Sequence, residues 1–370
     1  MSDTRRNAPL GRHFHTFDAL RFFAFLKVFF FHIPPAAFGL LGYFMAGGTL
    51  AVRFFFVLSG FLISYLILVE KEQTGRLDFK HFMLRRVLRI WPLYYLIVAF
   101  AFVTPYILSA LNLEHSNEGY TPNFLYTVLF LENYVGILRQ DAPNVSPLGV
   151  IWSICVEEHF YIVWGLALSH LRRRNVPKLI AVSCVLALAS RFAFVYFGYP
   201  TRDLLTNLDL FAIGAIPAYF LVARPNDLEQ TVDRIPRRRK WLGVVLVIGA
   251  ASIEPHLQGP VNEVCGPTLL GLMFGGLLSL FLSSRSNFGI ANSNIFSRLG
   301  KYTYGLYLYH VIVINLLLAI FRGVTLERLP VSLLFVSLAL GVSIVISAIS
   351  YHYLEKPFLA LKRYAAEQAA

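Results

Sequence analysis

The sequence has few charged residues and few cysteines. Asp, Glu, Lys and Arg make up 15% of its 370 residues, whereas average soluble proteins carry about 25%. The three cysteines, Cys155, Cys184 and Cys265, are far apart and show neither metal-ligand spacing nor a disulfide framework. Internal repeats and low-complexity tracts are also absent from the sequence. These absences exclude an ordinary soluble domain, and we expect no metal site.

Long apolar blocks dominate the composition instead. Hydrophobic residues make up 56% of the chain, and they recur in blocks of roughly 17–25 residues, the length that crosses a ~30 Å hydrocarbon core. The blocks do not alternate apolar and polar residues as the strands of a membrane barrel do. We therefore expect an all-α integral membrane protein with about ten transmembrane helices. The predicted spans are 15–34, 45–69, 89–110, 149–169, 178–198, 205–223, 241–253, 264–283, 301–321 and 331–352.

The net charge of +12 is distributed unevenly between the two sides of this predicted topology. Most of the 33 Lys and Arg residues, including Arg5, Arg6 and Arg12, fall on the side of the N-terminus. Because basic residues mark cytoplasmic loops, both termini are predicted to be cytoplasmic. Topology thus accounts for the basicity, and no nucleic-acid partner is expected. The opposite loops hold only Arg139, Arg202, Arg322 and Arg328.

One predicted outer segment, 111–148, is longer than a turn. Its apolar part, TPNFLYTVLFLENYVGIL, is short for a span and flanked by aromatic residues. These features are typical of a re-entrant or interfacial helix, which could cover a pocket that opens outward. The whole chain, 1–370, is predicted to be one transmembrane domain that includes this segment, with no appended soluble domain.

Ionisable residues within the spans are functional candidates, because each costs roughly 2.5–3.5 kcal/mol at the bilayer centre. Arg21 and His32 are eleven residues apart, so they project from one helix face about 16 Å apart along the axis. Alternatively, Arg21 extends to the inner interface and His32 lies at the outer one. Lys27 points to another side of the helix, and we assign it no role.

Three arginines, Arg85, Arg86 and Arg89, precede the third span. From charge alone, we favour their acting as cytoplasmic anchors of that span. The alternative is a phosphate-binding patch, because guanidinium groups pair well with phosphate oxygens. That reading requires a phosphorylated cytosolic ligand.

Two further groups lie within the fourth and ninth spans. Glu157, Glu158 and His159 are consecutive, and the two glutamates cannot share one helix face. We expect one glutamate to face a cavity and pair with a buried base. Tyr307 and His310 belong to a run of tyrosines at helical spacing, which fits a hydrogen-bonded packing network or a polar tunnel equally well.

Two other charged positions are expected to be structural. Arg191 and Asp209 are candidates for an ion pair between the fifth and sixth spans. Glu355 follows the last span, where we expect a solvated helix end.

Six stretches, in order across almost the whole chain, resemble the acyltransferase-3 family. This family contains multi-span membrane enzymes that O-acylate surface polysaccharides, nodulation-factor sugars or macrolides. The stretches are ALRFFAFLKVFFFH, RFFFVLSGFLIS, RRVLRIWPLYY, WSICVEEHFY, GKYTYGLYLYH and YHYLEKPF. The chain departs from the family pattern at His159, where Gln is usual, and at Lys27, where an apolar residue is typical.

The resemblance implies an O-acyltransferase of the bacterial cytoplasmic membrane. Its donor would be cytosolic acyl-CoA, with acetyl as the default acyl group. Its acceptor would be a hydroxyl of a glycan or lipid-linked saccharide at the membrane or its outer side. The alternative is a proton-coupled transporter or flippase of a glycan-related substrate, although such proteins often show internal repeats and broken helices that this sequence lacks.

Carried onto this chain, the resemblance and the chemistry of acyl transfer assign roles to individual residues. His32 is the general base, because neutral imidazole titrates near working pH. Arg21 holds the donor from the inner side, and a glutamate of the fourth span orients His32 as in a hydrolase triad. The predicted catalytic residues are His32, Arg21, Glu157 and Glu158, and the predicted donor-binding residues are Arg85, Arg86, Arg89, Tyr307 and His310.

Overall fold

The structure is a computed structural model that describes residues 14–34, 47–110, 118–282, 294–322, 326 and 328–367. Within these ranges the chain is helical, and its only strand-like pairing is an isolated bridge between Tyr120 and Pro143. The basic N-terminal segment 1–13 and residues 111–117 of the predicted outer segment lie outside the described residues. So do residues 35–46, 283–293, 323–325, 327 and 368–370.

The described residues form fifteen α-helices, numbered here in chain order. They are α1 His15–His32, α2 Gly48–Thr74, α3 Phe79–Ala110, α4 Phe124–Val128, α5 Glu132–Arg139, α6 Trp152–His170, α7 Val176–Tyr196, α8 Leu204–Ala223, α9 Pro225–Arg234, α10 Arg237–Ile253, α11 Pro260–Leu280, α12 Ile295–Gly300, α13 Thr303–Ile320, α14 Leu329–Ser350 and α15 Lys356–Glu367. A π-helical turn, Tyr351–Glu355, joins α14 to α15.

A helix forms at each predicted span, and eight helical segments are long and apolar enough to cross a membrane. The prediction of an all-α membrane protein is therefore confirmed. α1 and α10 are not among the eight. The 18 residues of α1 include Asp18, Arg21 and Lys27, and α10 is 17 residues long. The count of about ten spans and the cytoplasmic termini stay predictions.

The centre of the bundle is the contact between α2 and α8. Small residues allow these helices to approach at backbone distance, as is common in membranes. A Cβ on Gly60 would lie 2.0 Å from the carbonyl oxygen of Phe211, and one on Gly214 would lie 1.9 Å from that of Val57. Phe211 also stacks on Phe160 of α6, with ring centroids 4.0 Å apart. This close packing fixes α6 against the centre.

The predicted pair between the fifth and sixth spans is confirmed. Arg191 of α7 donates to both carboxylate oxygens of Asp209 on α8, at 2.9 and 2.6 Å. The Arg191 and Asp209 side chains are 1% and 0% exposed. Thr268 of α11 joins the same pair. A bidentate, buried arrangement of this kind locks three helices in register.

The segment between α3 and α6 enters the bundle deeply. Phe130, at the turn between α4 and α5, stacks on Tyr94 of α3 with ring centroids 4.1 Å apart. The Tyr94 hydroxyl donates to the Thr127 carbonyl at 2.7 Å. Tyr94 precedes the end of α3 by sixteen residues, which is about 24 Å along a helix. This geometry is what a re-entrant segment requires, and the outer location of the segment stays a prediction.

His159, whose role the sequence left open, helps to hold this segment. Its ring stacks on Tyr134 of α5, with centroids 5.4 Å apart. The ring also lies close to the backbone of Phe130. His159 therefore acts as a packing residue between α6 and the turn from α4 to α5.

Candidate active site

Two histidines meet between α1 and α13. The Nε2 atom of His310 lies 3.3 Å from Nδ1 of His32, and the two rings are 4.9 Å apart at 75°. His310 is fully buried, whereas His32 is partly exposed. His310, predicted to bind the donor, thus lies directly beside the predicted base.

Backbone contacts define which ring nitrogens carry protons in this pair. Nδ1 of His32 is 2.9 Å from the Val28 carbonyl oxygen, and Nδ1 of His310 is 3.1 Å from that of Leu306. Because a carbonyl oxygen only accepts, both Nδ1 atoms are assigned as N–H donors. Nε2 of His310 can then accept from Nδ1–H of His32. In the neutral pair, Nε2 of His32 carries the lone pair that a general base needs.

The predicted orienting contact between a glutamate and His32 is wrong. Among the described residues, Nδ1 of His32 is held by Nε2 of His310 and by the Val28 carbonyl. Glu157 instead accepts from Ser59 at 2.9 Å and from Tyr161 at 2.8 Å. The reason is that Glu157 faces α2, whereas His32 faces α13.

The two glutamates take different partners, as their helical spacing requires. One oxygen of Glu158 accepts from the Trp91 indole N–H at 3.3 Å. Its other oxygen, Oε1, is buried with no hydrogen-bond partner among the described residues. The catalytic role predicted for Glu157 and Glu158 stays a prediction.

A second polar centre surrounds Arg21. Its guanidinium pairs with Asp18 on the same helix at 2.6 Å. It also interacts electrostatically with Arg89 of α3 and Tyr161 of α6. Glu157 in turn interacts with both Arg21 and Arg89. The structure therefore brings five polar side chains from three helices together around Arg21, about 16 Å along α1 from His32.

The three arginines of α3 differ in their ion-pair partners. Arg85 pairs with the buried Glu70 at 2.6 Å, and the other Glu70 oxygen accepts from the Asp78 backbone N–H at 2.9 Å. Arg85 is thereby tied to the corner between α2 and α3. Arg86 and Arg89 have no direct ion pair within the described part of the chain, and Nε of Arg86 is buried without a hydrogen-bond partner there.

Arg21, Arg86, Arg89 and the polar side chains around them are called the arginine centre below. Glu355 joins this arginine centre, contrary to the solvated position predicted for it. The residue is 6% exposed, and it interacts electrostatically with Arg89. Its burial follows from the π-helical turn and from α15, which continue the helix beyond α14 and fold it against α3. The apolar residues on both sides of Glu355, such as Leu354 and Phe358, were the signal that the helix does not end there.

A stripe of polar side chains on α6 connects the two centres. Ser153, Glu157 and Tyr161 recur every four residues, so they share one face over about 12 Å. The Ser153 hydroxyl lies 2.7 Å from the Tyr307 hydroxyl, and Tyr307 is one turn from His310. Tyr307 thus links α13 to the start of α6. The sequence pattern alone did not single out Tyr161, although the four-residue spacing from Glu157 pointed to it.

The face of α1 between Arg21 and His32 is apolar. Phe25 and Val28 lie on that face and are 0% and 2% exposed. The Phe25 ring contacts His310 edge-on, with centroids 5.7 Å apart. A polar path between the two centres therefore follows α6 and not α1.

Comparison with known proteins agrees with this architecture. The family model described as "Acyltransferase domain" matches residues 14–352. The chain belongs to this family, and the resemblance inferred from the six stretches is confirmed.

Two relatives illustrate the family. The chain is 26% identical over 368 residues to "Peptidoglycan O-acetyltransferase OatA" of Listeria monocytogenes, covering 92% of this chain and 55% of the relative. It is 26% identical over 370 residues to "Putative peptidoglycan O-acetyltransferase YrhL" of Bacillus subtilis, covering 94% of this chain and 55% of the relative. The chain thus spans about half the length of these relatives. No solved structure matches it.

Proposed function

We propose that this chain is a membrane O-acetyltransferase that moves acetyl from cytosolic acetyl-CoA to a glycan hydroxyl at the outer side of a bacterial cytoplasmic membrane. Membership of the acyltransferase family supports the reaction class. The names of the relatives support acetyl as the group and peptidoglycan, or its lipid-linked precursor, as the acceptor. The single observation that carries the mechanism is the histidine pair, which leaves Nε2 of His32 free of a proton.

His32 takes the proton from the attacking hydroxyl as its oxygen bonds to the acetyl carbonyl carbon, and it returns that proton to the CoA sulfur when the thioester C–S bond breaks. Its Nδ1–H stays in place between the Val28 carbonyl and Nε2 of His310. This contact fixes the ring and spreads the positive charge that develops on His32, the task a carboxylate performs in a hydrolase triad. The buried aromatic rings around the pair, including Phe25 and Tyr307, exclude the water that would hydrolyse the donor.

The arginine centre fits an acyl-CoA donor by its chemistry. Arg86 and Arg89 have no direct ion pair among the described residues and can pair with phosphate oxygens. Nε of Arg86 and the buried Oε1 atoms of Glu158 and Glu355 have no partner in the described ranges. The pantetheine arm of acyl-CoA carries amide groups, whose C=O and N–H can accept from and donate to such atoms. When bound, the donor supplies an activated acetyl thioester.

The two centres lie about 16 Å apart along α1, so an extended donor arm must reach from one to the other. The stripe of Ser153, Glu157 and Tyr161 provides polar groups along that distance. The arrangement therefore separates the grip on the donor from the proton transfer to His32.

The experiment is transfer by the purified protein in lipid nanodiscs, with radiolabelled acetyl-CoA and a lipid-linked peptidoglycan precursor. Base-labile label is expected in the glycan, at a rate that saturates with both substrates. In sealed vesicles, movement of the precursor without any labelling would show a flippase and overturn the proposal.

A matched variant makes the result specific. Arg139→Gln removes an exposed arginine at the end of α5, outside both centres, and should leave labelling unchanged. Labelling that persists in full in His32→Ala would contradict the mechanism while leaving the reaction class intact.

A further inference from the structure

We propose that a second cavity, at the end of the bundle opposite the arginine centre, binds an anionic group of the acceptor glycan. The cavity has a volume of about 290 Å³, near the lower end of the range of small-molecule sites. It is formed where α2, α6 and α11 begin, next to the connection between α7 and α8. Its lining includes Thr49, Arg53, Trp152, Arg191, Arg202 and Glu263. The inference deepens the proposed function, on which it rests for the identity of the acceptor.

Two of the three arginines around this cavity are already neutralised. Arg53 pairs with Glu254 at 2.5 Å, and Arg191 pairs with Asp209 at 2.6 Å. Arg202 has no carboxylate partner among the residues that the structure describes. The cavity therefore presents one guanidinium whose charge can be matched by an anionic group of a ligand.

Arg191 provides a further donor. It is 1% exposed, and its two terminal nitrogens are used by Asp209, Thr206 and Thr268. Its Nε–H is buried without a hydrogen-bond partner in the described part of the chain. A buried donor without an acceptor is unfavourable, and a polar ligand or water in the cavity that Arg191 lines would satisfy it.

The aromatic wall indicates a sugar and not a bare anion. The Arg202 guanidinium lies over the Trp152 ring, 5.9 Å from its centroid, and Trp152 is only partly buried. An amphipathic aromatic surface of this kind can hold the C–H face of a pyranose. The exposed carboxylate of Glu263 and the hydroxyl of Thr49 add groups that bond sugar hydroxyls.

The cavity is connected to the histidine pair through α6. Trp152 lines the cavity, and the next residue, Ser153, hydrogen-bonds the Tyr307 hydroxyl. The Tyr307 ring lies 6.0 Å from that of His310. A saccharide held at Trp152 and Arg202 would thus place a neighbouring sugar of the same chain toward His32.

The test is binding of two matched disaccharides to the purified protein in nanodiscs, measured by calorimetric titration without acetyl-CoA. One is N-acetylglucosaminyl-N-acetylmuramic acid, and the other is the same disaccharide with its carboxyl reduced to an alcohol. We expect the acid to bind, and the alcohol to bind roughly tenfold more weakly, as for loss of a charged hydrogen bond. Equal binding of both, or binding of neither, would overturn the proposal.

The variants locate the site. Arg202→Gln should lower the affinity for the acid roughly tenfold and leave the affinity for the alcohol unchanged. Arg202→Lys, which keeps the positive charge, should bind the acid more tightly than Arg202→Gln does. Trp152→Phe should lower the affinity for both disaccharides. Arg139→Gln, which removes another arginine predicted on the same side, should change neither. If Arg202→Gln binds both sugars as the parent protein does, the cavity is not the site.

The outcome is separable from that of the proposed function. Binding that depends on Arg202 in a protein that transfers no acetyl would support the cavity and refute the transferase. Normal transfer with an unchanged acceptor KM in Arg202→Gln and Trp152→Phe would refute the cavity alone. Thermal unfolding of each variant is the control that distinguishes a loss of binding from misfolding.

Discussion

The two polar centres of this bundle differ in whether their side chains are bonded to one another or lack direct ion pairs. The histidine pair between α1 and α13 is made of rings whose protons are shared with backbone carbonyls and with each other. The arginine centre contains Arg86, Arg89 and Glu355, whose charges have no direct ion pair among the described residues. One centre is internally satisfied, and the other is ready to be satisfied by a ligand.

The difference follows from what each centre has to do in the proposed reaction. A general base must keep one tautomer and a free lone pair, so its other nitrogen needs a fixed acceptor. A phosphate site must keep its cations available, so internal ion pairs would compete with the ligand. Arg85 shows the contrast within one helix, because Glu70 already neutralises it.

The largest expected effect is at the base. His32→Ala should lower kcat for acetyl transfer by roughly 10²–10⁴-fold, the usual contribution of a general base. Added imidazole should restore part of the rate if the pocket admits it. Lys27→Gln, a change elsewhere on α1, serves as the control and should keep the parental rate. A His32→Ala protein with unchanged kcat would remove the distinction between the two centres.

The next effect is at the partner of the base. His310→Ala should lower kcat by roughly ten- to a hundredfold, because a hydrogen bond to a developing charge is lost. The KM for acetyl-CoA should stay constant, since the donor is gripped elsewhere. His310→Gln keeps an amide oxygen that can accept from Nδ1–H of His32, and it should retain more activity. A rise in donor KM with constant kcat would instead place His310 in the donor site.

The arginine centre should respond in the opposite way. Arg89→Gln should raise the KM for acetyl-CoA by roughly tenfold and change kcat little, as expected for loss of one charged contact. Arg85→Gln should leave that KM unchanged and lower the unfolding temperature, because it leaves Glu70 buried without its partner. Steady-state kinetics and thermal unfolding of both variants make the comparison. Equal donor KM values in the two variants would contradict the division of roles.

The smallest expected effect lies outside both centres, at Asp78 before α3. The His81 backbone N–H donates to its carboxylate at 3.0 Å, and this bond is the main cause that lowers the pKa of Asp78 below 3.8. Asp78→Ala should reduce stability at neutral pH by no more than about 1 kcal/mol. Because the folded-state pKa is lowered, the difference should vanish as the pH falls through that value. Unfolding temperatures of both proteins between neutral and acidic pH provide the measurement, with kcat expected to stay unchanged.

Much of the architecture could be predicted from the sequence. The length of the apolar blocks predicted the helices, because the hydrocarbon core selects for length. The spacing of Arg21 and His32 predicted a shared face, because the helical repeat is fixed. Arg191 and Asp209 were predictable partners, because buried charges in neighbouring spans require each other.

The partners of the site residues could not be predicted in the same way. His32 meets His310, which is 278 residues away, and Glu157 meets Ser59 at a separation of 98 residues. Both contacts depend on which helices are neighbours, and the periodicity of a single helix carries no information on that. Glu355 was predicted to be solvated because it follows the last predicted span, whereas an irregular π-helical turn continues the helix and buries it.

The sequence by itself therefore determined that the chain is a set of membrane helices and that Arg21 and His32 share one face of α1, since both follow from local composition and a fixed helical repeat. Only the tertiary structure decided that an imidazole, and not a carboxylate, supports His32. It also decided that Glu70 neutralises Arg85 while Arg86 and Arg89 have no direct ion pair among the described residues. Hydrogen bonds between helices depend on how α2 and α8 pack at the centre, and that packing places each neighbouring helix.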